Sequence, residues 1–125
     1  MTSEEKELLL KDLCARLPYR VKISIPELWT SEKTIEVFNE IFKGDDGEFR
    51  CNDSGMLIKY VKPYLFPFSS MTEEQEKEYL NTCNGYCTYY WTEETFDWLN
   101  KNHFDYRDLI EKSLALDATN LGIYE

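Results

Sequence analysis

The sequence predicts an α+β fold, with an N-terminal helix, a small antiparallel strand-rich middle and a helical C-terminal half. Three observations predict it. A capped run with helical spacing opens the chain, strict alternation follows it, and helix-capping signals recur from Thr72 onward.

Thr2-Ser3-Glu4-Glu5 is a capping box, with Thr2 at the N-cap and Glu5 reaching back to it. Leu9, Leu10, Leu13, Cys14 and Leu17 then share one helical face until Pro18, which predicts a helix over 3–17. Over residues 19–25 the pattern switches to period two. Val21, Ile23 and Ile25 oppose Arg20, Lys22 and Ser24, as in a half-buried strand ended by Pro26. Residues 33–43 fit either period; their β-branched content and the Gly44-Asp45-Asp46-Gly47 turn favour a hairpin with 48–51.

After the Asn52-Asp53-Ser54-Gly55 loop, residues 56–61 read as a short strand. Pro63 and Pro67 exclude regular helix from 62–68, which reads as an extended apolar connector laid across the core. Thr72 with Gln75 is a second capping box, opening an acidic helix that ends near Asn84-Gly85. Thr92 caps a third helix, with Trp91 and Phe96 placed as a hydrophobic staple. Asp105 caps a fourth, with Phe104 and Leu109 placed likewise and Tyr106, Leu109, Ile110 and Leu114 as its buried stripe. The segment after Asp117 has no periodicity and is expected to fray.

The 125 residues are 42% hydrophobic and 15% aromatic, enough for one core and a single domain over 1–125. Apolar runs fall far short of the ~18 residues of a membrane span. No basic, apolar leader opens the chain, so neither a membrane partner nor export is expected. Together with Cys14, Cys51, Cys83 and Cys87 this reads as a cytoplasmic protein with reduced, mostly buried thiols. The net charge of −10 is unevenly placed: residues 1–62 carry 12 acidic and 10 basic side chains, residues 63–125 carry 12 and 4. A net of −8 in the second half repels nucleic acid and anionic lipid, so no direct nucleic-acid binding is expected.

The residues outline no catalytic, cofactor or metal site. His103, the only histidine, has no nucleophile motif beside it and reads as a histidine between helices that bonds nearby backbone. Cys83 and Cys87 lack the paired two-residue spacings of zinc ligands. Glu73 with Glu74, and Glu93 with Glu94, open capped helices, where the helix dipole accounts for them. The scattered glycines form no phosphate-binding loop. The best binding candidate is aromatic: Tyr86, Tyr89 and Tyr90, with Trp91, beside Glu93 and Glu94. Exposed, these rings suit a protein partner with a basic surface; packed inward, they are ordinary core.

Three stretches carry a resemblance. They are Asp12-Leu13-Cys14-Ala15-Arg16-Leu17-Pro18-Tyr19; Lys62-Pro63-Tyr64-Leu65-Phe66-Pro67-Phe68-Ser69-Ser70-Met71-Thr72-Glu73-Glu74; and Trp98-Leu99-Asn100 through His103-Phe104-Asp105-Tyr106-Arg107. They resemble the short uncharacterised acidic proteins common in gut bacteria of the Bacteroides group, their prophages and their phages. Arg20 and Asp108 stand where those proteins usually have glycine, and Phe66 where they usually have arginine. The resemblance implies a phage or mobile-element setting and no chemistry. The expected function is therefore a small non-enzymatic interaction or regulatory protein, such as a stoichiometric inhibitor of a host system. An acidic nucleic-acid mimic and an enzyme of unrecognised type are the alternatives. A mimic would align the carboxylates of 63–125 on one face; an enzyme would place His103 or a shifted carboxylate in a deep pocket.

Overall fold

The structure, a computed structural model, describes residues 1–25 and 34–124. It is α+β, with helices and mainly antiparallel sheets. Helix α1 (Ser3–Arg16) begins as its sequence dictates. Thr2 Oγ1 accepts from the Glu5 N–H at 3.1 Å, and the Glu5 carboxylate accepts from the Thr2 N–H at 2.9 Å. The buried face is rotated from the one the leucine spacing predicts. Leu9 and Leu13 are fully buried, but so are Asp12 and Arg16, whereas Leu10 and Leu17 are half-buried and Cys14 is exposed.

Pro18 ends α1 in a 3-10 turn, Leu17–Tyr19, and Arg20 follows at φ 58. That left-handed backbone delays strand β1 to Lys22–Ile25, so Tyr19 is not part of it. The predicted stop at Pro26 lies outside the described residues. Residues 34–43 are strand rather than helix, but they form two strands, β2 (Thr34–Val37) and β3 (Ile41–Lys43). Only β3 makes the predicted hairpin, pairing with β4 (Phe49–Cys51) around the Gly44–Gly47 turn. Strand β2 pairs with β1 instead, setting Ile23 opposite Glu36.

The predicted strand 56–61 is cut short. Strand β5 is only Met56–Leu57, because a 3-10 turn takes Ile58–Tyr60 and buries Ile58. The predicted connector is likewise corrected: Lys62–Leu65 is strand β6, with Pro63, Tyr64 and Leu65 buried. Extended geometry was legible from its prolines, but its position was not. It lies between β1 and β7 (Leu116–Asp117) in the sheet β2-β1-β6-β7, while β3-β4-β5 form a second sheet. Pro63 is tolerated opposite Ile23 because the β1–β6 register covers only two residue pairs there.

Helices α2 (Glu73–Asn81) and α3 (Glu93–Lys101) open on the predicted caps Thr72 and Thr92. The fourth helix does not form. Asp105 therefore caps no helix; its two carboxylate oxygens instead accept from the Leu109 and Ile110 N–H groups, four and five residues on, at 2.9 Å each. Asp108 at φ 58 and Ser113 at φ 61 then break the helical path, leaving turns over 106–113. Leu109 and Leu114 are still buried, as the apolar pattern requires.

The segment after Asp117 does not fray. Ala118 is buried, the Tyr124 hydroxyl donates to the Tyr64 carbonyl at 2.7 Å, and it accepts from the Lys22 N–H at 2.9 Å. The core gathers Leu9 and Leu13 of α1, Val21, Ile23 and Ile25 around β1, and Leu65, Leu109 and Leu114 from the second half.

Candidate functional site

The loop between α2 and α3 presents the predicted aromatic residues, and three threonines hold its ends. The Thr82 hydroxyl donates to the Tyr79 carbonyl at 2.6 Å and accepts from the Thr95 hydroxyl at 2.9 Å, while the Thr92 hydroxyl donates to the Thr82 carbonyl at 2.9 Å. Inside this clasp Asn84 and Gly85 take φ 52 and φ 83, which reverses the chain directly after α2. The reversal brings Cys83 and Cys87 together as a disulfide, with Cα atoms 5.4 Å apart. This corrects the expectation of reduced, buried thiols: Cys83 and Cys87 are bonded, Cys14 is exposed, and only Cys51 is a buried free thiol. Burial, then Glu36, pushes the Cys51 pKa up to about 12. Cys87 Sγ lies 3.3 Å from the Tyr79 carbonyl and Cys83 Sγ 3.6 Å from that of Leu80.

The rings point outward. Tyr89 is 83% exposed, Tyr86 55% and Tyr90 49%, and Tyr86 stacks on Tyr90 at 6.1 Å. Glu93 and Glu94, in the first turn of α3, are also exposed. Trp91 is the exception, half-buried against Phe96 as the staple predicts, with centroids 5.4 Å apart and planes near perpendicular. Its indole N–H donates to the Tyr79 hydroxyl at 2.9 Å. A loop clasped at both ends and bridged within shows its rings with little freedom left to lose on binding.

Trp91 also reaches a second feature that sequence reasoning missed, a cleft of about 510 Å³ between Pro67-Phe68 and residues 105–111. Half of its lining comes from two of the stretches quoted above, 62–74 and 98–107, and backbone pairing joins them. The Phe66 N–H donates to the His103 carbonyl at 2.8 Å, and the Asp105 N–H to that of Phe66 at 2.9 Å. The third stretch locks on from behind. Arg16 donates to both carboxylate oxygens of Asp12, at 2.8 and 3.2 Å, and to the Phe104 carbonyl at 2.6 Å, while Arg107 reaches Asp12 at 3.3 Å. The convergence of the three stretches is a property of the topology alone.

His103 faces Tyr124, with ring centroids 3.9 Å apart, and not a cleft. It does not bond nearby backbone through its side chain as predicted: Nδ1 is buried without a hydrogen-bond partner among the described residues. The φ of 64 at His103 turns the ring away from α3 and under Tyr124. Burial first, then the charges of Arg16 and Lys22, lower its pKa to about 4 from an ordinary 6.5. The neutral ring thus stabilises the fold fully above pH 6.5, and that contribution is lost as pH falls from 6.5 through 4. About 2–3 kcal/mol should disappear across this window, allowing for the ring's partial exposure. Chemical denaturation of the wild type and His103→Asn between pH 7.5 and 4 isolates this from carboxylate titration. Parallel losses in the two proteins would refute it.

No group of three or more His, Cys, Asp or Glu side chains is placed to hold a metal ion among the described residues. No helix among them is long and apolar enough to cross a membrane. No protein-family model, no curated protein and no solved structure matches this chain, so its role is argued from the geometry above.

Proposed function

We propose that this chain is a small interaction or regulatory protein that acts by stoichiometric binding and not by catalysis, using the face formed by Tyr86, Tyr89, Tyr90, Glu93 and Glu94. The observation that carries the reading is the outward presentation of three tyrosines on a clasped loop, with Tyr89 83% exposed. Rigid, amphipathic rings of this kind supply contact area at low entropic cost and are enriched at binding hot spots. The adjoining carboxylates and the −8 balance of residues 63–125 favour a partner with a basic surface. The resemblance described above supports a phage or mobile-element setting, in the cytoplasm, with a component of the host as partner.

The test is affinity capture from the native host, followed by measured binding of the captured protein. Tyr89→Ala and Tyr90→Ala are each expected to weaken binding by about 1–4 kcal/mol. Stability should change by less than about 0.5 kcal/mol, because both side chains project into solvent. Glu93→Lys with Glu94→Lys should slow association and flatten its salt dependence. If the tyrosine substitutions lower the melting temperature and leave affinity intact, the face is structural and the proposal fails.

A further inference from the structure

The cleft beside this face has a chemistry of its own. Its floor is aromatic: Phe68, 37% exposed, meets half-buried Trp91 at 6.1 Å, and Trp91 meets Tyr106 edge-on at 5.9 Å. Its rim is acidic, and no Lys or Arg lines it. The rim carboxylates differ in what they have left to offer. Asp105 is occupied by the Leu109 and Ile110 N–H groups. Asp108 and Glu111 are exposed and in no ion pair among the described residues. A cleft of about 510 Å³ is within the usual size range of ligand-binding clefts.

An aromatic floor under free carboxylates is complementary to one kind of group, a planar cation that stacks and donates in a fork. The guanidinium meets that description. It is more weakly hydrated than an ammonium, lies flat on aromatic faces and pairs with carboxylates in two-point geometry. The chain already uses this chemistry within itself: the Arg107 and Arg16 guanidinium carbons lie 4.6 and 5.2 Å from the centroid of Tyr106. Those two approach Tyr106, whereas Phe68 and Trp91 pack against other rings and have no Lys or Arg over them among the described residues.

We infer that this cleft seats an arginine side chain of the partner, held between the Phe68–Trp91 rings and the carboxylates of Asp108 and Glu111. The inference rests on the basic-partner reading above and names its anchor. Trp91 belongs to both surfaces, so an arginine in the cleft and contacts on the tyrosine loop form one continuous footprint.

The experiment needs no identified partner. The full chain, labelled with nitrogen-15, is titrated by NMR with the blocked tripeptide acetyl-Gly-Arg-Gly-amide and with its neutral citrulline counterpart. The arginine peptide should shift the Trp91 indole N–H and the backbone N–H groups of Phe68, Asp108 and Glu111. The citrulline peptide, and the Asp108→Asn/Glu111→Gln variant, should each bind about fivefold more weakly or worse. Asparagine is chosen because it tolerates the φ of 58 at position 108. Equal shifts from both peptides, an unchanged affinity in the variant, or no shift at all would each overturn the assignment. The two readings fail separately. If Tyr89→Ala abolishes partner binding while the arginine peptide leaves the cleft silent, only the anchor is wrong.

Discussion

Asp12→Ala is expected to destabilise the protein by about 3–5 kcal/mol, at the upper end of what a single substitution does. Both side chains of the Asp12–Arg16 pair are fully buried. Removing Asp12 strands the guanidinium with one remaining acceptor, the Phe104 carbonyl, and Arg16 Nη1 already has no hydrogen-bond partner among the described residues. An uncompensated buried charge is what makes such deletions costly, and the pair as a whole is worth far less than that figure. Asp12→Leu with Arg16→Met should therefore recover most of the loss, since Arg107 is partly exposed and can turn to water. Urea denaturation of the single and double variants decides the matter. A single variant within about 1 kcal/mol of wild type would show that the site relaxes or floods. The same substitution should loosen the cleft, because Arg16 ties α1 to the backbone beside Asp105.

Leu13→Ala should cost about 2–5 kcal/mol, from lost apolar burial plus the cavity left in a close-packed core. Leu13 is fully buried beside Leu9, Val21 and Ile23. Cys14→Ala, one residue further along, should change stability by less than about 0.5 kcal/mol because Cys14 is exposed. The comparison tests which face of α1 looks inward. A loss below half a kcal/mol for Leu13→Ala, or a matching loss for Cys14→Ala, would contradict this packing.

That rotation shows where the sequence was legible and where it was not. Caps are local, so Thr2, Thr72 and Thr92 could all be read in advance, and each one caps. The turn at Gly44–Gly47 is local too. The inward face of α1 was misplaced because a charged pair spaced i,i+4 normally lies in water, and it is satisfied here by distant groups, the Phe104 carbonyl 88 residues from Arg16 and Arg107 95 residues from Asp12. The extra helix after Asp105 was predicted from apolar spacing that holds; what fails is the backbone at Asp108 and Ser113, which spacing does not encode. Arg20 and Asp108 both adopt left-handed backbone, a conformation glycine enters without strain. Of the proposed binding face, the tyrosines and glutamates were visible as residue types. The cleft was invisible, since Phe68 and Glu111 meet only through the parallel pairing of β6 with β7 and the Phe66–Phe104 bridge.

The strap at the end of the described chain has a consequence for how the protein is made. Lys22 holds Tyr124 and Ile123 through contacts spanning 102 and 101 residues, and β7 completes a sheet whose other strands end at Leu65. A nascent chain can form α1 and the β3-β4-β5 meander early, yet it cannot close the larger sheet until residue 124 has cleared the ribosome exit tunnel. Until then β6 is an open edge beside an uncovered apolar layer, which is the state that pairs with other chains. Folding dominated by such distant closures is slower than helical folding. Yield of native protein should thus depend on the delay between synthesis of β6 and of residues 116–124, and a long pause between them would favour aggregates over native fold.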